Sequence, residues 1–188
     1  PGITPSVVEP MPWQMSLQLE AASIRSVDPL PILLRTLIQL QGLHDHREAI
    51  YTILAEMYTN ALDHGLLGLD SQLKGTPAGF AQYYIKRQKA LSDLSSGAIT
   101  LSLRHTPEPN GGSLLVRVED SGSGFTKPTT DAPANERPSG RGLKLVQSLC
   151  KEVRWNKPGN AIEAVFTCQL DHRGQRALNV STREHPAT

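Results

Sequence analysis

The chain has 188 residues, 38% of them hydrophobic and 20% charged, with a formal net charge of +1. That length and composition suit one soluble globular domain with a full core. The near-zero charge gives no electrostatic case for nucleic acid or an anionic membrane, and no apolar run approaches the roughly 20 residues that cross a bilayer.

Residues 1–11 include Pro1, Pro5 and Pro10 and read as an extended lead-in. The start at Pro1 rather than Met, with no leader signal, points to a fragment of a longer cytoplasmic protein. Trp13 to Glu20 alternates Met15, Leu17 and Leu19 with polar neighbours, the pattern of a half-buried strand. Asp28 and two prolines open an apolar helix over Leu30–Leu40. The strongest helical signal runs from His44 to Leu67, where Ile50, Leu54, Met57 and Ala61 form one apolar stripe. Residues 69–97 hold Gly75, Pro77 and Gly79, then a stretch, AQYYIKRQKALSDL, that reads as an exposed helix.

Ala98–Arg104 and Ser113–Glu119 read as a hairpin joined by TPEPNGG. Residues 122–140 are poor in apolar side chains and carry three prolines, the composition of a mobile loop. A helix is expected over Arg141–Lys151, then strands over Glu152–Asn156 and Ala161–Leu170 with a turn at PGN, 158–160. The polar tail, 171–188, reads as disordered. Cys150 and Cys168 have no zinc or CxxC spacing and read as buried thiols. There is no internal repeat. The order predicts one α+β domain over residues 12–170, a two-layer sandwich with helices on one face of a mixed, mostly antiparallel sheet.

Three clusters carry chemistry. Glu56, Asn60 and His64 lie at i, i+4 and i+8 on the long helix, with Asp63 beside them, on the side opposite the apolar stripe. A solvated helix face gives the same pattern. Against that, the stripe has no Lys or Arg for its acids, and it sets an amide oxygen one turn beyond a carboxylate, which suits a hydrated hard cation. Asp120-Ser-Gly-Ser-Gly-Phe125 ends the second hairpin strand. Its glycines permit close backbone approach, and its Asp can accept a hydrogen bond from an exocyclic amine. Gly140-Arg-Gly-Leu143 opens a helix, whose N-terminal N–H groups favour phosphate. Neither a Rossmann fingerprint nor a P-loop is present.

In this order ExxxNAxxHG (56–65), DSGSGF (120–125) and GRGL (140–143) resemble the three ATP-binding boxes of the GHKL superfamily, which includes DNA gyrase and the histidine kinases. The resemblance implies a Bergerat fold and, residue by residue, a set of roles. Asn60 would hold Mg²⁺ on the ATP phosphates, and Glu56 would be the general base. Asp120 would bind the adenine amine, with Gly122 and Gly124 shaping the pocket. Gly140, Arg141 and Gly142 would cradle phosphate, and residues 125–139 would be the ATP lid. Thr167 would support adenine through water.

A strand and one short helix before the first box leave no room for a histidine-kinase dimerisation element. The chain is therefore similar to the small anti-sigma factor serine kinases, which also occur as modules after receiver and phosphatase domains. That likeness implies phosphorylation of a serine on a STAS-type anti-sigma factor antagonist, a sigma factor as a second partner, and a homodimer. The alternatives are an ATP-gated binding module without catalysis, or a histidine-kinase ATPase domain. The 69–97 insertion departs from the small members and reads as a surface elaboration or, on its Phe80, Tyr83 and Tyr84, as a docking element for a partner.

Overall fold

The computed structural model describes residues 11–41, 43–70, 76–109, 111–124 and 141–169. Strand β1 (Trp13–Glu20) leads into helices α1 (Ala21–Ser26) and α2 (Leu30–Gln41). A 3₁₀ turn at Leu43–His46 opens α3 (Arg47–Thr59), which widens into a π-helical segment at Asn60–Leu66. Then come α4 (Pro77–Asp93), β2 (Ala98–Glu108), β3 (Gly111–Asp120), α5 (Arg141–Leu149), β4 (Glu152–Trp155) and β5 (Ala161–Gln169). The fold is α+β, with one five-stranded sheet in the order β1-β2-β3-β5-β4.

Every strand pairing among the described residues is antiparallel, where the sequence led us to expect some parallel character. The chain leaves β3, forms β4 at the sheet edge, and turns back so that β5 inserts between them.

The sheet has two unlike faces. Leu114, Val116 and Val118 of β3 are buried, while Ser113, Leu115, Arg117 and Glu119 point the other way. The apolar face packs on α2 and α3: Leu37, Ile50, Ile53, Leu54 and Met57 are all fully buried in one cluster with Leu101, Val116 and Ala164. The apolar stripe Ile50/Leu54/Met57/Ala61 therefore lies in the core as its spacing requires. On the opposite face Arg117 bridges Glu163 at 2.7 Å and Glu119 at 2.9 Å.

Capping follows the sequence. Asp28 Oδ1 accepts the Leu30 N–H at 3.0 Å, and Thr76 Oγ1 accepts the Gly79 N–H at 3.1 Å with Pro77 in the first turn of α4. Strand β2 runs further than expected, through Pro107. Beyond the Trp13–His105 pair β1 no longer flanks β2, so the missing proline N–H interrupts no ladder on that side. Helix α1 was not expected. At six residues it is too short for a helical period, and it buries only Ala21 and Ile24. Cys168 is buried and Cys150 half-buried, both free, and burial pushes both thiols up to about 11. No helix among the described residues is long and apolar enough to cross a membrane. The lead-in before Met11, the expected lid at 125–139 and the tail at 171–188 lie outside the described residues.

Candidate functional site

A narrow cleft opens where the π-helical segment, the end of β3, α5 and the β4–β5 turn meet. It is lined by Asn60, Ala61, Val118, Asp120, Leu143, Trp155 and the stretch Gly159 to Ile162. The free space is about 20 Å³, room for about one water and much less than a purine. A base could enter only if the walls of the cleft moved apart. A larger concavity of about 360 Å³ lies on the opposite sheet face between Arg104, Leu115, Arg154 and Glu163, and none of the residues singled out from the three motifs lines it.

Asp120 is the polar centre of the cleft. It ends β3 on the core side of the sheet and is 7% exposed. Its backbone is clamped to the start of β5: its N–H donates to the Asn160 carbonyl, and Asn160 Nδ2 donates to the Asp120 carbonyl, both at 2.9 Å. Its carboxylate accepts the Gly122 N–H at 2.9 Å and lies flat against Gly65, so a Cβ on Gly65 would overlap it. A Cβ on Gly122 would strike the Gly65 carbonyl. The two glycines form a seat that no other residue type could share. Burial raises the Asp120 carboxyl above its ordinary range, and the Gly122 N–H only partly offsets it. Gly124 has a φ of +74°, and a Cβ there would meet the Pro158 carbonyl.

Asn60 stands where α3 becomes π-helical, and π turns occur often at functional sites. Among the described residues, three buried side-chain polar atoms lack a hydrogen-bond partner, and Asn60 Nδ2 is the one at the cleft. A buried amide without a partner costs stability unless a ligand completes it. Its oxygen is a hard donor. No cluster of three His, Cys, Asp or Glu side chains fit for a metal occurs among the described residues. Mg²⁺ fits as an ion held by one amide oxygen, phosphate and water.

Glu56, one α-helical turn before Asn60, reaches the N-terminus of α5, where its carboxylate touches Gly142. A side chain at Gly142 would displace it. The structure thus has Asn60 and Asp120 lining one cleft, with Gly122 against the Asp120 carboxylate, Glu56 against Gly142 next to the cleft residue Leu143, and Gly124 against Pro158 beside the cleft residue Gly159. Gly140 and the side chain of Arg141 lie outside the described residues.

Thr167 does not join them. It pairs with Ser113 at the other end of β3 from Asp120, and it is exposed on the sheet face away from the cleft. Its buried neighbours Phe166 and Cys168 fix that orientation. The residue that supports Asp120 from beside β5 is Asn160, the last residue of the PGN turn and the one just before the strand. Trp155, also unforeseen, closes one wall of the cleft.

The polar stripe also needs correction. One of its acids, Asp63, has a basic partner. Asp63, 1% exposed, accepts Arg87 Nε at 2.7 Å and the Tyr83 hydroxyl at 2.6 Å, both from α4. His64 Nδ1 meets the Leu69 carbonyl at 2.6 Å, a structural contact. Of the α4 aromatics grouped as a docking surface, Tyr83 is fully buried, while Phe80 and Tyr84 are half exposed with ring centroids 4.9 Å apart.

Comparison with known protein families and with curated proteins finds no match.

Proposed function

We propose that the domain binds Mg·ATP in this cleft, in the manner of a Bergerat-fold ATPase, and passes the γ-phosphate to a serine of a STAS-type anti-sigma factor antagonist. The observation that carries the reading is the seat of Asp120. A carboxylate is held buried against two glycines, facing apolar walls, next to an asparagine amide without a partner. A buried acceptor with no cation beside it among the described residues suits a neutral amine donor such as the adenine amino group. Ala61, Val118 and Ile162 would flank the base. Bound Mg²⁺, held by Asn60, would neutralise the phosphate charges.

In this reading Glu56 takes the proton from the attacking serine hydroxyl. The serine oxygen forms a bond to the γ-phosphorus as the bond to the β–γ bridging oxygen breaks, leaving ADP. Asn160 and Gly122 hold Asp120 in place, while Leu143 and Trp155 exclude water from the base.

One observation favours a second reading, an ATP-gated binding module. The Glu56 carboxylate already sits at the α5 N-terminus, where the helix dipole stabilises it, so it can serve as a structural cap without any proton transfer.

Incubation with γ-labelled ATP and a STAS-type protein separates the two. Label on a partner serine, lost in Glu56→Ala while ATP still binds, supports the kinase. Binding of ATP and partner without label supports the module. Asn60→Ala is expected to abolish Mg·ATP binding in either case, and retained binding would remove the cleft from consideration.

A further inference from the structure

Helix α4 has 17 residues and belongs to the 69–97 insertion, yet Tyr83 is its one fully buried side chain among the described residues. Leu91 and Leu94 pack on the margin of the core, and Arg25 reaches the Leu94 carbonyl. Its polar attachment includes the carboxylate of Asp63, which takes a hydrogen bond from Tyr83 and an ion pair from Arg87. Tyr83 and Arg87 lie one α-helical turn apart on α4, so both reach it from the same face. Burial and this hydrogen bond raise the Tyr83 phenol. Nearby Tyr58 is pushed up to about 12, chiefly by burial and by Asp28.

Asp63 sits in the middle of the Asn60–Leu66 segment, between Asn60, which lines the cleft, and Gly65, which lies against the Asp120 carboxylate. Asn60 faces the cleft three residues before it, and Gly65 seats Asp120 two residues after it. The segment is wider than an α-helix, which turns Asp63 towards α4 while Asn60 faces the cleft. Its other ties include the buried side chains of Ala61 and Leu62, His64 Nδ1 to the Leu69 carbonyl at 2.6 Å, Leu67 N–H to the Leu62 carbonyl at 2.9 Å and Leu69 N–H to the Asp63 carbonyl at 2.8 Å. A buried carboxylate holding two donors is hard to displace, because moving it strands a charge in the interior.

We infer that Asp63, Tyr83 and Arg87 are positioning residues for the cleft, a latch by which α4 fixes the π-helical segment and with it Asn60 and the Gly65 seat of Asp120. The inference rests on the nucleotide-site reading for its effect on ATP, but its effect on the segment stands apart from it. Release of the latch lets the segment relax and blurs the alignment of Asn60 with Asp120, while the core stripe of α3 stays packed.

The test uses the full 188-residue chain with Tyr83→Phe, Arg87→Met and Arg87→Lys. Amide hydrogen exchange is followed without nucleotide, and Mg·ATP binding by calorimetry. The expected result is faster exchange confined to Asn60–Leu66 and Gly122, with ATP affinity lowered about tenfold in Arg87→Met and less in Tyr83→Phe. Arg87→Lys should restore part of both. Exchange that rises evenly over the chain, or not at all in the segment, overturns the latch. Faster local exchange with unchanged ATP affinity in a chain that binds ATP also overturns it. If the wild-type chain binds no Mg·ATP, the nucleotide reading fails, and the exchange pattern alone decides the latch.

Discussion

Asp63 and Asp120 are both buried carboxylates of one domain, and their surroundings differ in kind. Asp63 accepts a guanidinium and a phenol at short range, so its charge is met on the spot. Asp120 accepts one glycine N–H onto its carboxylate, and burial raises its carboxyl. The first arrangement is built to hold two elements together. The second keeps acceptor capacity open towards a cleft, at a cost in stability that a structural residue would not require.

The comparison breaks most visibly at Asp63. Asp63→Ala leaves Arg87 and Tyr83 without their acceptor, and the expected loss is about 3–5 kcal/mol in urea unfolding. A loss no larger than that of an ordinary surface change would make the cluster incidental.

At Asp120 the expectation is reversed. Asp120→Asn keeps the shape and an oxygen for the Gly122 N–H but loses the charged acceptor. Mg·ATP affinity should fall by about 10²-fold, while the unfolding midpoint stays level or rises. Lower stability with intact binding would exchange the roles of the two carboxylates.

The smallest effect is the pH signature of Asp120. Its carboxyl is raised in the folded chain, so just above the ordinary carboxylate range the folded state holds a proton that the unfolded state has released. Stability is therefore lost as pH rises through that window. The wild type should weaken relative to Asp120→Asn as pH rises from the ordinary carboxylate range towards neutrality, in paired urea titrations. A flat difference would mean that the carboxylate is better solvated than its burial indicates.

Much of the fold was legible because periodicity reports burial. The stripe from Ile50 to Ala61 and the alternation of β1 and β3 reappear as the two sides of the core. Asn60, Asp120 and the glycines stood out in the sequence because close approach and a buried acceptor leave few residue choices, and the structure sets Asn60 and Asp120 on one cleft with Gly122 against the Asp120 carboxylate. The Asp63–Arg87 pair was not, since sequence spacing shows partners along one helix and this one spans 24 residues. Thr167 was misplaced although the signal was present: it lies between Phe166 and Cys168, whose alternation sends it to the other face. Asn160 looked like turn chemistry alone, and its bond to the Asp120 carbonyl depends on the β3–β5 register, which no local pattern encodes.

The π-helical segment gives chain length a meaning of its own here. A π turn holds more residues than the α turn beside it, so the count between Glu56 and Gly65 sets where each one faces. Loss of a single residue from 61–64 would let the segment close into regular α-helix and swing Gly65 off the Asp120 carboxylate. Substitutions there act through chemistry, whereas a deletion would act through phase, turning a correct set of side chains towards the wrong neighbours.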